Sequence, residues 1–200
     1  WACRKGKVKI NPLDRVENKP SKSLGETSSD IDEFEDGAQE VKLFEDEQLR
    51  FLLDETSGTA YYYPALTAAM TGLRRGEILG LKWKDIDLER GTLKVVRAVE
   101  QTKKHGLRLK VPKTKSSKRT INLPQSLLEG LRKHRKEQAE TLLKLGVRQI
   151  DQNFVFATWD GNLRSPNGFT SEFGRIVKRL GLSDLGFHSL RHTHASALLR

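Results

Sequence analysis

The sequence is poor in the features that mark several protein classes. Its one cysteine, Cys3, cannot close an internal disulfide. That argues against a disulfide-stapled secreted scaffold and makes a reducing cytoplasm the natural setting. No run approaches the roughly 18 apolar residues of a membrane-spanning helix. The sequence opens on Trp1-Ala2-Cys3 without an initiator methionine, so it reads as a fragment, and no signal peptide is recognised. There is no internal repeat. No His-Glu-x-x-His pattern is present, so His188 and His192, four apart on an expected helix, make a poor metal site. Lys and Arg are missing from Glu26 to Glu40, which holds seven acids. Acids are missing from Gln101 to Thr120, which holds eight Lys and Arg.

What is there fits a soluble chain. Of 200 residues, 36% are apolar and 31% charged, enough for one good-sized domain with a hydrophilic surface. The net charge of +10 is unevenly spread: residues 1–44 sum to −1 and residues 45–200 to +11. A basic body beside an acidic stretch favours an anionic partner, with nucleic acid the leading candidate. A solvated surface with surplus lysine is the plainer alternative.

Residues 1–20 are basic and read as an exit from a preceding unit. Residues 21–40 are rich in Ser, Glu and Asp and read as an acidic flexible linker. The main domain is expected from residue 41 to residue 200. Periodicity predicts a helix over Glu45–Glu55, with Leu49, Leu52 and Leu53 on one face and Asp46 as the cap. A second helix is expected over Tyr62–Met70, and a third from Arg75 carrying Ile78, Leu79 and Leu81. The period then changes to that of strands over Thr92–Val99, Leu107–Val111 and Thr120–Leu123. Turns near His105-Gly106 and Lys113–Ser117 make these a small antiparallel sheet of three strands. Pro124–Leu145 is a long amphipathic helix, with Leu127, Leu128, Leu131, Leu142 and Leu143 recurring among charges. Asn153–Ala157 is expected as a short strand or an extended stretch. Asn167–Leu180 and Phe187–Leu199 are helices, the last with Leu190 and Leu198 toward the core. The fold class is α+β, mainly α-helical.

Three segments carry chemistry. TGLRRGEILGLKWKDID (Thr71–Asp87) places Arg74 and Glu77 three apart at a helix start. VPKTKSSKRTINL (Val111–Leu123) is a basic β-turn able to project a lysine against a phosphate; a lysine-protected edge strand is the alternative. FHSLRHTHASALL (Phe187–Leu199) places His188 and Arg191 on one helix face.

Taken together, these segments resemble the signature of the tyrosine recombinase, or phage integrase, family. Arg74 in T-G-L-R-x-x-E matches the family's first catalytic arginine and Glu77 its acidic companion. Lys113 in P-K-T-x-x-S-x-R matches the β-hairpin lysine. His188 and Arg191 in H-S-L-R-H-T match the second box. WKDID (Trp83–Asp87) and LFEDEQL (Leu43–Leu49) also fit. The resemblance covers about Val41 to Arg200, and residues 1–20 resemble the tail of the family's core-binding domain.

The resemblance implies a helical catalytic domain with a small three-stranded sheet. It implies site-specific DNA cleavage and rejoining through a 3′-phosphotyrosyl link, without cofactor or metal. The implied partner is double-stranded DNA, with a tetramer on DNA, room for accessory DNA-bending proteins and no membrane. The implied setting is the bacterial cytoplasm, associated with the nucleoid. Arg74 and Arg191 would clamp the phosphate. Lys113 would give the leaving 5′-oxygen its proton, with Lys115 second. His188 would act as acid/base, and Glu77 would orient Arg74 or His188. His192 and His194 are expected to be structural or supporting.

The family also places a nucleophilic tyrosine after the second box. The tyrosines of this sequence are Tyr61, Tyr62 and Tyr63, expected to pack rather than to react, so the sequence reads as cut before its nucleophile. Three alternatives share parts of the pattern: a type IB topoisomerase, a telomere resolvase and a non-catalytic DNA-binding module.

Overall fold

The computed structural model describes residues 42–111 and 118–199. The expectations for residues 1–20, for the linker 21–40 and for the lysines at 113 and 115 fall outside them.

Helix α1 (Asp46–Thr56) begins one residue past its expected start. The residue at its N-cap is Glu45, not Asp46. The Glu45 N–H donates to Gln48 Oε1 at 3.0 Å, satisfying the chain where the helix begins. Asp46 already lies in the first turn, where a carboxylate suits the helix dipole. Leu52 is fully buried, with Leu49 and Leu53 packed beside it.

Helix α2 (Tyr62–Thr71) is buried on most sides. Its threonines fit there because their hydroxyls donate to carbonyls one turn back, Thr67 to Tyr63 at 2.8 Å and Thr71 to Thr67 at 2.6 Å. It ends at Gly72, whose φ of 62° is left-handed. Two residues on, α3 (Arg75–Leu79) starts from an extended Arg74. It is a short helix: Leu81, expected on it, is buried just beyond its end. A Cβ at Gly76 would stand 2.6 Å from the Val99 carbonyl oxygen, so this turn packs backbone to backbone.

The strands sort differently from expectation. β1 (Ile86–Asp87), β2 (Thr92–Val95) and β5 (Arg119–Asn122) form a three-stranded antiparallel sheet in the order β1-β2-β5. β3 (Ala98–Thr102) and β4 (Gly106–Lys110) form a separate hairpin. The predicted strand Thr92–Val99 is therefore two strands. Arg97, between the two strands, pairs with the buried Asp85 and reaches the Gly80 carbonyl. β2 then pairs with β5, Thr92 opposite Asn122 and Val95 opposite Arg119.

Helix α4 (Gln125–Lys144) buries Leu127, Leu128, Leu131 and Leu142. Leu143, expected with them, is 72% exposed, because one residue is a 100° turn away from Leu142. Of the stretch 153–157, expected as a strand or extended, Phe154 alone bridges to Lys82, and Val155 and Phe156 lie in a turn; the Val155 N–H donates to the Leu81 carbonyl at 2.9 Å. Helix α5 (Pro166–Arg179) is capped by Ser165, whose Oγ accepts the Gly168 N–H at 3.1 Å. It buries Phe169, Phe173 and Val177 at four-residue intervals. Helix α6 (Phe187–Ala197) buries Phe187 and Leu190. Leu198 does not face the core: it caps the helix and is 74% exposed, eight residues and most of a quarter-turn away from Leu190. The mainly helical α+β class stands, with α2 at its centre between α1, α4 and α6.

Gly72 should be costly to replace for two separable reasons. A Cβ there would meet His194 Cδ2 of α6 at 2.6 Å, besides the left-handed strain. Gly58 has a similar φ of 75° and nothing within 4 Å. Gly58→Ala should cost about 1 kcal/mol in urea unfolding, the backbone term alone. Gly72→Ala should cost clearly more, and equal losses would show that α6 does not press on the Gly72 turn.

Candidate active site

The end of α2, the start of α3 and the face of α6 enclose an open cleft of about 820 Å³. Gly72, Arg74, Arg119, His188, Arg191 and His192 line it. Three of the residues singled out in the sequence, Arg74, His188 and Arg191, are thus brought together from distant segments. Glu77 lies buried just behind Arg74.

Each side chain is held by a local cause. Arg191 Nη1 donates to the Gly72 carbonyl, so α6 is fastened to the turn before Arg74. His194, on the same helix, lies under Gly72 with Nδ1 3.1 Å from the Ala69 carbonyl. The Phe44 N–H donates to Thr193 Oγ1 at 2.8 Å, which ties the entry to α1 to α6 as well. His188 and His192 meet edge to face, ring centroids 4.4 Å apart. His192 and His194 both line the cleft, and His194 also packs under the Gly72 turn.

Glu77 is the one buried acid at this place. Its Oε2 accepts the Arg74 N–H at 2.9 Å, and the Arg74 guanidinium lies 3.7 Å from Oε1. Arg119 binds it through both nitrogens, Nη1 to Oε1 at 2.9 Å and Nη2 to Oε2 at 2.8 Å. Burial pushes the Glu77 pKa up. The Arg119 bonds, the Arg74 N–H and the two positive charges outweigh that and hold it below the ordinary carboxylate value. In turn, the bond to Glu77 raises Arg119. Glu77 was expected to orient Arg74 or His188. It does meet Arg74, but its main partner is Arg119, the arginine that closes P-K-T-x-x-S-x-R. That residue stood in the motif without a role. The signal for it in the sequence was its place at the end of that motif.

The tyrosines lie elsewhere. Tyr61, Tyr62 and Tyr63 line a larger cavity of about 970 Å³ with His134, Trp159 and Arg164. That cavity holds none of the predicted site residues, so size alone does not mark the site. The Tyr63 hydroxyl donates to Glu137 at 3.0 Å, and burial followed by that bond pushes its pKa well above the ordinary phenol value. Such a tyrosine is a packing group, as expected. The WKDID segment is also structural: Trp83 is buried and donates from Nε1 to Gln138 at 2.6 Å, and Asp85 holds Arg97.

The description of the phage integrase family matches residues 42–200. The chain belongs to the phage integrase family. Among curated integrase-family relatives, it is 35% identical over 170 residues to a "Tyrosine recombinase XerC-like" protein of Caldanaerobacter subterraneus, covering 80% of this chain and 44% of that protein. It is 30% identical over 137 residues to the ICEBs1 integrase of Bacillus subtilis, covering 66% of this chain and 35% of that one. The chain thus spans less than half the length of these two relatives. Among solved structures, the Tn1549 transposon integrase in complex with transposon right end DNA superposes with a TM-score of 0.70 at 21% identity, over 98% of this chain and 63% of that one. The XerA recombinase superposes with a TM-score of 0.60 at 19% identity, over 79% and 49%. These two likenesses show the integrase catalytic fold.

In this integrase-family chain Glu77 should stabilise the fold in a pH-dependent way. Its folded pKa lies below the ordinary 4.5, so its contribution is complete above that value and is lost as pH falls through the depressed folded pKa. Glu77→Gln should cost about 1–3 kcal/mol at pH 7, less than for a fully buried pair because the Arg119 side chain is 35% exposed. Urea unfolding of both proteins should show the gap closing below pH 4.5; a gap that stays constant would contradict it.

Proposed function

We propose that this chain carries the phosphate-activating side of a DNA strand-transfer site, in an integrase that performs site-specific recombination for a phage or other mobile element. The observation that carries the reading is the convergence of Arg74, His188 and Arg191 on one open cleft. The relatives named as integrases and the DNA-bound Tn1549 integrase support it.

The chemistry follows from the charges. When a tyrosine oxygen attacks a DNA phosphorus, negative charge grows on the two non-bridging oxygens. Arg74 and Arg191 supply forked donors to them and stay protonated throughout. His188, beside Arg191 on α6, takes the acid/base role. Lys113 gives its proton to the departing 5′-oxygen as the P–O bond to it breaks. The new phosphotyrosyl bond keeps the energy of the old one, and an incoming 5′-hydroxyl reverses the step. Glu77 supports Arg74. The partner on this reading is double-stranded DNA held by four copies, with accessory DNA-bending proteins, in a bacterial cytoplasm at the nucleoid. Residues 1–20 would be the tail of a core-binding domain and residues 21–40 its linker.

The nucleophile is a separate matter, since Tyr61, Tyr62 and Tyr63 lie away from the cleft. These 200 residues alone should form no covalent adduct with a nicked suicide duplex. Fused to a C-terminal segment that carries the tyrosine the family resemblance implies after the second box, they should form one. Arg191→Ala in that fusion should slow adduct formation on the order of 10²–10³-fold while leaving most of the duplex affinity. Loss of affinity with no adduct in any variant would favour the DNA-binding module.

A further inference from the structure

The Glu77 carboxylate has two arginines within reach and one negative charge to share. Arg119 takes both oxygens at bidentate distance, 2.9 and 2.8 Å. The Arg74 guanidinium stops at 3.7 Å, beyond hydrogen-bonding range, and its side chain is about half exposed in the cleft. That is the only ion pair Arg74 makes among the described residues. The asymmetry has a geometric source. Arg119 sits at the head of β5, paired with Val95, and approaches Glu77 from the sheet side. Arg74 is the residue preceding α3, and its N–H already occupies Oε2 at 2.9 Å.

We propose that Arg119 is a positioning residue, whose part is to saturate Glu77 and so leave the Arg74 guanidinium turned toward the cleft. The inference rests on the reading of that cleft as a phosphodiester site. A buried carboxylate must have a cation or fixed donors. Without Arg119, the nearest cation is Arg74, three residues away on the same turn. It would close onto Glu77, giving up both its position in the cleft and much of its positive potential. Arg119 thus acts on the phosphate through another residue. The role predicts an outcome that a plain structural tie does not. Neutralising Glu77 in the absence of Arg119 should restore Arg74, although it removes a second member of the same cluster.

The test uses the 200-residue chain as wild type, Arg74→Ala, Arg119→Ala, and the double variant Arg119→Ala with Glu77→Gln. One readout needs no ligand: side-chain ¹⁵N NMR of the Arg74 guanidinium, assigned through Arg74→Lys, where engagement by a carboxylate slows rotation about its C–N bonds. Rotation should be fast in wild type, slow in Arg119→Ala and fast again in the double variant. The second readout is the salt dependence of binding to a short duplex of arbitrary sequence. Arg119→Ala should lower the slope of log K against log salt by about 0.9, as Arg74→Ala does, and the double variant should regain it. If Arg119→Ala does not fold, Arg119→Lys, with one donor group in place of the fork, should give the same changes at reduced size. Unchanged Arg74 rotation in Arg119→Ala, or a double variant no better than the single, overturns the proposal. If rotation follows Glu77 as expected but Arg74→Ala leaves the salt slope intact, Arg119 keeps its role and the phosphate reading of the cleft falls.

Discussion

A buried carboxylate is the constraint around which this protein is arranged. Glu77 is removed from water, which by itself disfavours its charge, yet the protein holds it ionised. That requires donors fixed in place before any ligand arrives. They come from two separate parts of the chain: the backbone and side chain of Arg74 at the start of α3, and Arg119 at the head of β5. One acid therefore sets the distance between the sheet and the helical wall of the cleft. The opposite wall is set by a second short tie, from Arg191 on α6 to the Gly72 carbonyl.

The two ties meet at the Thr71–Arg74 turn, where sequence and packing agree closely. Gly72 supplies the left-handed conformation that ends α2, and it leaves room for the His194 ring. Leu73 is buried and anchors the turn, which leaves Arg74 directed outward. Arg74 and Arg191 are thus carried by backbone that packing over-determines, the condition that the proposed phosphate clamp requires of donors that need not reorganise as charge develops. The cleft concentrates three arginines and three histidines, with Glu77 behind it already engaged. Such a field suits a bridging phosphodiester far better than a neutral or cationic ligand.

Much of this was legible in the sequence because it depends on local pattern. The helices followed from apolar spacing. Arg74, His188 and Arg191 could be named because each stands in a short motif. What was not legible depends on contacts between distant residues. Nothing near Arg97 announces that it will pair with Asp85, or that the expected strand Thr92–Val99 will divide there between a sheet and a separate hairpin. Arg119 was visible in its motif, but its partner lies on another element. Leu143 and Leu198 were misjudged for a narrower reason: the helical period places each off the buried stripe, and being apolar did not bring them in. Composition could suggest an anionic partner without saying where its charge would be met.

On the proposed function, the cleft between Gly72, Arg74, His188 and Arg191 receives a DNA phosphate. The most direct measurement is an NMR titration of the isotopically labelled chain with a short duplex, following arginine and histidine side-chain signals. Arg74, His188 and Arg191 should shift together and saturate at one duplex concentration. Shifts confined to the other cavity, at Tyr61, His134 and Arg164, with these three unmoved, would contradict it.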